Sequence, residues 1–242
     1  MKFTFGIITN NKIDERVVES IYKQNITEFE IIIVGGNSNY KGKSEIIKHI
    51  PFDETIKSGW ITKKKNIITD HAKYENIVFM HDYIYLDENW YEGFKEFGND
   101  WDICMNVILN SDGSRFRDWC AWNDPQINWP GGGAPKTSGN AGHCIMLPPY
   151  GYNRYEFMYI SGTYWIAKKH VMKDEPLDES IGWAEPPGED LEWSKRVLVK
   201  YKYKMNTLSA VHSLKNKKLS AIEMTGDWIN KLVKRFGLTK KI

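Results

Sequence analysis

Cysteine is scarce in this chain: three in 242 residues, Cys104, Cys120 and Cys144, odd in number and spaced like no zinc module. That excludes a disulfide-built scaffold and fits a reducing compartment. An excess of charge of one sign is missing too. Lysine and arginine total 33, aspartate and glutamate 31, and the net charge of +2 is too balanced to point to nucleic acid or an anionic membrane. Long apolar runs are also lacking. Nothing approaches the roughly 18 apolar residues of a membrane span, and the opening MKFTFGIITNN holds no stretch long enough for a signal peptide. The expectation is a cytoplasmic protein with no transmembrane segment and no nucleic-acid partner. Internal repeats and low-complexity linkers are absent as well.

The remaining composition is that of an ordinary globular protein, 41% hydrophobic and 26% charged. Its unusual figure is aromatic content, 14%, with ten Trp and thirteen Tyr. Such rings fill cores, and they also stack on sugars and bases, so a carbohydrate or nucleotide ligand is in view. The most informative stretch is residues 77–86, IVFMHDYIYL. Its Ile, Val and Phe read as a buried strand that exits into His81-Asp82-Tyr83. Burying a carboxylate is costly unless something pairs with it. A metal ion at the strand's carboxyl end would offset that cost, and open α/β sheets bind ligands there. The plainer reading is a strand that ends in a polar turn.

The order of elements argues for a Rossmann-like first half. Residues 3–9 form a β-rich run ending in Thr9-Asn10-Asn11. Residues 15–24 carry Val17, Val18, Ile21 and Tyr22 at a helical period, and residues 29–34 (FEIIIV) are a second buried strand closed by Gly35-Gly36. So short a strand–helix–strand unit calls for parallel strands and a right-handed crossover. A helix over 63–73 and a strand over 77–80 follow. The second half begins with a strand over 101–109. Residues 111–151 are rich in Gly, Pro, Asn and Trp with little regular pattern, and long loops of this kind are often functional. Within them, Asp112, Arg115, Arg117 and Asp118 are expected to order the loop. Strand character returns over 159–167, a helix starts at 168–172, and an amphipathic helix spans 189–201. A last strand covers 204–212, and a Lys-rich turn leads to a short helix over 225–236. We read a single domain over 1–242, with a nucleotide-binding half (1–100), an acceptor half (101–215) and a helical tail (216–242).

Several of these residues together carry a family pattern: Thr9-Asn10-Asn11 after the first strand, Val34-Gly35-Gly36 after the second, Lys65-Asn66 opening a helix, and His81-Asp82-Tyr83. Further on come Ser161-Gly162-Thr163-Tyr164, Gly188-Glu189-Asp190 at a helix start, and His212. In this order they resemble the GT-A fold nucleotide-sugar-dependent glycosyltransferases, closest to the family-2-like group, over residues 2–212. The resemblance implies an α/β architecture with a Rossmann-like, mostly parallel central sheet flanked by helices, and an acceptor-side half containing long loops. It implies a UDP-, GDP- or TDP-linked donor, a glycan or similar hydroxyl acceptor, and a divalent metal, Mn²⁺ or Mg²⁺. The donor would meet Thr9, Asn10, Asn11, Gly35, Gly36, Lys57, Lys65, His81, Asp82 and Tyr83. The acceptor would meet Gly162, Thr163, Trp165 and Trp122. Asp82 and His212 would hold the metal, and Asp190, with Glu189 beside it, would be the catalytic base.

Two positions depart from the family pattern. Gly35-Gly36 stand where an acidic residue usually recognises the base. Tyr83 stands where the Asp-x-Asp motif has its second acid, and a neutral phenol is a poor ligand for Mn²⁺ or Mg²⁺. Asp82 would then take over with His81 or His212 assisting, or the metal would be held mainly through the donor's diphosphate. Of Lys63-Lys64-Lys65, only Lys65 is expected to point at a phosphate, the rest being a solvated face. Plainer readings stand beside these: Asp190 as an acid favoured at a helix N-terminus, His212 as a structural histidine, the tryptophans as core. Two rival functions also remain. One is an inactive nucleotide-sugar or glycan-binding module of the same fold. The other is a metal phosphohydrolase or nucleotidyltransferase, disfavoured because His81-Asp82 follows a strand and Thr9-Asn10-Asn11-Lys12 is no Gly-rich phosphate loop.

Overall fold

The computed structural model describes residues 1–36, 45–122, 124, 145–181 and 188–217. In chain order the elements are β1 (Phe3–Ile8), α1 (Glu15–Tyr22), β2 (Phe29–Val34), β3 (Ile47–Ile50), α2 (Ile61–His71), β4 (Asn76–His81), β5 (Ile84–Leu86), α3 (Trp90–Phe97) and β6 (Ile103–Leu109). The second part adds β7 (Cys120–Trp122), β8 (Ile145–Met146), β9 (Met158–Tyr159), β10 (Tyr164–Lys168), α4 (Lys169–Asp174), α5 (Glu189–Val197) and β11 (Tyr203–Ser213). β1 is buried along its whole length, as are most of β2 and β4, which is why they read as unbroken apolar runs. Asp14 caps α1 by accepting from the Arg16 N–H, and Val17, Val18 and Ile21 supply its buried stripe.

An eight-stranded sheet has the order β3-β2-β1-β4-β10-β6-β11-β5. β1 pairs in parallel with β2 and β4, and Ile8 is level with both Val34 and His81, so three strands end at one edge. β10 runs antiparallel to both β4 and β6. Its entry, Gly162-Thr163, therefore lies beside the exit of β4. β11 is parallel to β6 and delivers residues 214–217 to the same edge. That is the crevice outside the carboxyl ends of strands where open α/β sheets place ligands. β7, β8 and β9 form a separate antiparallel ribbon. The main core is aromatic: Phe3 meets Trp90 edge-on at 5.1 Å between centroids, Phe79 stacks on Trp165 at 4.3 Å, and Trp193 meets Trp165 at a tilt at 4.6 Å. No helix among the described residues is long and apolar enough to cross a membrane.

The expected strand over 159–167 is broken. Between β9 and β10 the backbone N–H groups of Ile160 and Gly162 donate to Ser194 Oγ and Asp190 Oδ2 of α5 (2.9 and 3.1 Å) rather than to a neighbouring strand. The amphipathic helix over 189–201 stops regular structure at Val197, where Lys200 and Tyr201 both donate to the Val197 carbonyl. β3, β5 and α3 were not legible as elements. The expected helix over 225–236 and about half of the 111–151 loop lie outside the described residues.

Candidate active site

A cavity of about 630 Å³ opens at the carboxyl edge of the sheet. It is bounded by the exit of β1 (Thr9, Asn10, Asn11), the exit of β4 (His81, Asp82, Tyr83), the entry of β10, the start of α5, and the segment after β11. Expected donor, acceptor and base residues from both halves of the chain thus meet in one place.

The first wall is built on β1, β2 and α2. The Thr9 hydroxyl donates to Asp82 Oδ2 (2.6 Å) and accepts the Asn11 N–H (3.0 Å), which ties the two strand exits together. Behind them, Gly35 and Gly36 sit at φ +90° and +66°. A Cβ on Gly35 would come within 2.2 Å of the Thr9 carbonyl oxygen, and one on Gly36 within 2.3 Å of the Asn11 carbonyl oxygen. Backbone packs directly on backbone here, so an acidic side chain has no room at this position. The glycines support the wall and do not line the cavity.

α2 corrects the expected solvated lysine face. Lys64 and Lys65 are both 1% exposed. Lys64 Nζ lines the cavity, donating to the Thr9 carbonyl (2.9 Å) and to Asn10 Oδ1 and pairing with Glu54. Lys65 Nζ lies beneath, donating to the Gly162 carbonyl (3.0 Å) and facing Glu189 Oε1 at 3.5 Å. Only Lys63 reaches outward, to Glu179 at 2.9 Å. The cause is tertiary: carbonyls and carboxylates at the strand ends neutralise ammoniums that would otherwise not be buried. Lys57 lies outside the cavity and donates to the Ser180 carbonyl at 2.7 Å.

The opposite wall is the first turn of α5. Asp190 Oδ2 accepts the Gly162 N–H at 3.1 Å, and its Oδ1 accepts the Leu191 N–H at 2.9 Å. Two backbone donors fix the carboxylate while leaving a further lone pair on each oxygen. Glu189, largely buried, has its carboxyl pushed above the usual range by burial, against the pull of Lys65 and with the help of Asp190.

The floor near Tyr83 is basic. Lys217 Nζ donates to the Tyr83 hydroxyl at 2.5 Å and lies 3.3 Å from Thr163 Oγ1. Lys215 and Lys217 sit 4.2 and 4.4 Å from the Tyr83 ring centroid, and Arg117 enters from the loop after β6. Burial, reinforced by Arg117, pushes Lys217 down to about 8. Burial pushes the Tyr83 hydroxyl up. Burial together with Lys65 and Lys217 pushes His81 well below the usual histidine range, so its ring is neutral near pH 7. Sequence reasoning missed Lys64, Lys215 and Lys217 as site residues and gave Arg117 only a loop-ordering role. Asp118 anchors that loop, accepting from Arg115 (2.6 Å) and Tyr150 (2.7 Å).

Besides Lys57 and the two glycines, three more expected site residues lie outside the cavity. His212 is opposite Tyr85 in the β11–β5 ladder, stacks on its ring at 5.1 Å and binds Asp87 at 2.9 Å. Trp165 is fully buried between Phe79 and Trp193. Trp122 packs on the small cluster of Cys120, Leu147, Tyr159 and Leu191, with Lys195 over its ring at 4.3 Å. The divalent-metal expectation loses its donor set with them. Asp82 accepts the Thr9 hydroxyl on one oxygen and is the lone carboxylate left of the expected set, Tyr83 takes Lys217, His212 takes Asp87, and among the described residues no group of three His, Cys, Asp or Glu is placed to hold an ion. These residues do not fit Mn²⁺ or Mg²⁺, which favour several carboxylate and water oxygens.

No family model and no curated protein matches the sequence. In structure the chain is similar to S. aureus TarS 1-349, with a TM-score of 0.57 and 17% identity over 88% of this chain and 60% of that one. TarS 1-349 in complex with UDP-GlcNAc superposes with a TM-score of 0.55 and 14% identity, over 98% of this chain and 66% of that one. GalNAc-T7 with UDP, GalNAc and Mn²⁺ gives a TM-score of 0.58 and 13% identity, over 98% of this chain and 48% of that one. The chain therefore spans only part of each. The likeness is one of fold, and the fold is GT-A, as the sequence led us to expect.

Proposed function

We propose that on this GT-A scaffold the chain transfers a glycosyl group from a nucleotide-diphosphate donor to a hydroxyl of a glycan or similar acceptor, with inversion at the anomeric carbon. The observation that carries the reading is the pairing, across one cavity, of a fixed carboxylate with a cluster of cations: Asp190 on one wall, Lys64, Arg117, Lys215 and Lys217 on the others. Glycosyl transfer needs both. The acceptor hydroxyl gives its proton to Asp190 as its oxygen attacks the anomeric carbon. The bond from that carbon to the diphosphate breaks, and its electron pair leaves with the nucleotide, whose growing negative charge the cations offset. A single base and direct displacement give inversion.

Thr9, Asn10, Asn11 and Asp82 would hold the nucleoside side of the donor, with Gly162 and Thr163 beside the sugar and acceptor. Glu189, held by Lys65, positions the start of α5. A UDP-linked donor is the first choice, because UDP and UDP-GlcNAc occupy the TarS structures and UDP that of GalNAc-T7. GDP- and TDP-linked donors are the alternatives. The nucleotide-binding half (1–100) and the acceptor half (101–215) share the one cavity. Buried free thiols at Cys104 and Cys120 support a cytoplasmic setting.

The test is Asp190→Asn, assayed for nucleotide release from UDP-sugars with candidate acceptors and, separately, for UDP binding. Turnover is expected to fall by about 10²- to 10⁴-fold with UDP binding unchanged. A folded wild type that binds no UDP, GDP or TDP sinks the reading. Binding without turnover on any acceptor, and no effect of Asp190→Asn, makes it a binding module.

A further inference from the structure

Tyr83 stands where the resemblance places a metal-binding acid, and the structure fills its surroundings with cations. Two ammoniums, Lys215 and Lys217, lie within 4.4 Å of its ring centroid, and Lys217 donates to its hydroxyl. They arrive from the segment after β11, while Arg117 arrives from the loop after β6 and lines the same cavity. Neither Lys215 nor Lys217 has a carboxylate partner among the described residues. The acceptors of Lys217 are the neutral hydroxyls of Tyr83 and Thr163. A partly buried ammonium with only neutral partners is costly until an anion completes it. Two ammoniums carry the charge of one divalent ion, and they stand at the exit of β4, against the residue that replaces the metal-binding acid of the resemblance. The acidic residues of the cavity are turned to other work, Asp82 to Thr9 and Glu189 to Lys65.

We infer that Lys215 and Lys217, with Arg117, hold the donor's diphosphate directly and take the place of the divalent metal, so that donor binding and turnover proceed without one. The inference rests on the transferase reading and says how that reading's leaving group is stabilised. Lys217 donates to a terminal phosphate oxygen while Tyr83 and Thr163 keep its side chain aimed. Lys215 adds a second positive charge above the Tyr83 ring, and the guanidinium offers a planar fork suited to phosphate.

The experiment is calorimetric titration of UDP and of uridine, in EDTA and then in Mn²⁺, on wild type and on Lys215→Met/Lys217→Met. The expected result is UDP binding in EDTA about as tight as in Mn²⁺, weakened about 10- to 100-fold by the double substitution, with uridine binding unmoved. Lys217→Arg, which keeps the charge, should recover most of the loss, and this separates loss of charge from loss of folding. UDP binding that needs Mn²⁺, with the double variant behaving as wild type, overturns the clamp and leaves the transferase reading standing. Equal losses for UDP and uridine also overturn it, since a diphosphate contact would not touch the nucleoside. No nucleotide binding under any condition removes both.

Discussion

Gly162 has room for a hydrogen and little more. Its N–H holds Asp190, its carbonyl takes Lys65, and a Cβ there would lie 2.7 Å from Glu189 Oε1 and 3.2 Å from Asp190 Oδ2. The atoms in the way are carboxylate tips, so Gly162→Ala should displace the acid pair rather than the backbone. We expect turnover to drop about 10²-fold, as a catalytic group misplaced by an ångström costs, with stability lowered by only about 1 kcal/mol. Steady-state kinetics beside a thermal melt would show it; full activity would mean that Asp190 is not the base. Gly35→Ala is the opposite case. There the obstacle is the Thr9 carbonyl at 2.2 Å and the backbone is at φ +90°. Both ends of the clash are main chain, and we expect a loss of roughly 1–3 kcal/mol in a chemical denaturation series. An unchanged midpoint would show that the β1 exit can move aside.

At the scale of elements, α2 does more than cover the sheet. Lys65 is the strut between α2, the entry of β10 and the start of α5. Lys65→Met leaves Glu189 buried beside Asp190 without its cation. Removing one partner of a buried pair costs about 3–5 kcal/mol, less whatever Glu189 recovers by taking up a proton. A denaturant midpoint within error of wild type would show that the pair contributes nothing. The helix also marks the limit of what the sequence could tell. β1, β2 and β4 were legible because strands buried on both faces leave continuous apolar runs. Their exits, and the acids opening α5, were legible because element ends are where polar residues interrupt such runs. Three adjacent lysines carry no such signal. The helical period cannot say which of them face carbonyls contributed by β1 and β10, since that depends on strands distant in sequence. Lys215 and Lys217 were hidden in a Lys-rich turn for the same reason. Trp165 failed in reverse: its place after Gly162-Thr163 suggested the cavity, but β10 is a central strand buried on both faces, and Trp165 packs in the core against Phe79. β3 and β5 are short edge strands, IKHI and IYL, with too few residues to set a period.

At the scale of the whole molecule, a net charge of +2 conceals a separation of charge within one cavity, and pH should expose it. Lys217 is pushed from 10.5 to about 8 by burial and by Arg117. The groups facing it are Arg117, Lys215, the neutral His81 ring, and the hydroxyls of Tyr83 and Thr163. Between pH 8 and 10.5 the unfolded chain holds more protons at this lysine than the folded one. Stability therefore rises with pH across that window and is lost as pH falls through about 8. Diphosphate binding runs the other way, because the neutral amine no longer attracts the anion, while a bound anion would draw the proton back on. The ligand-free protein should gain melting temperature from pH 7.5 toward 10 relative to Lys217→Met, which removes the titrating group and cancels the effects of every other lysine. Over the same range UDP affinity should fall in wild type and stay flat in Lys217→Met. Opposite slopes for stability and affinity, both abolished by one substitution, are what a buried ammonium waiting for an anion produces. A lysine that only braces Tyr83 would show the first slope without the second.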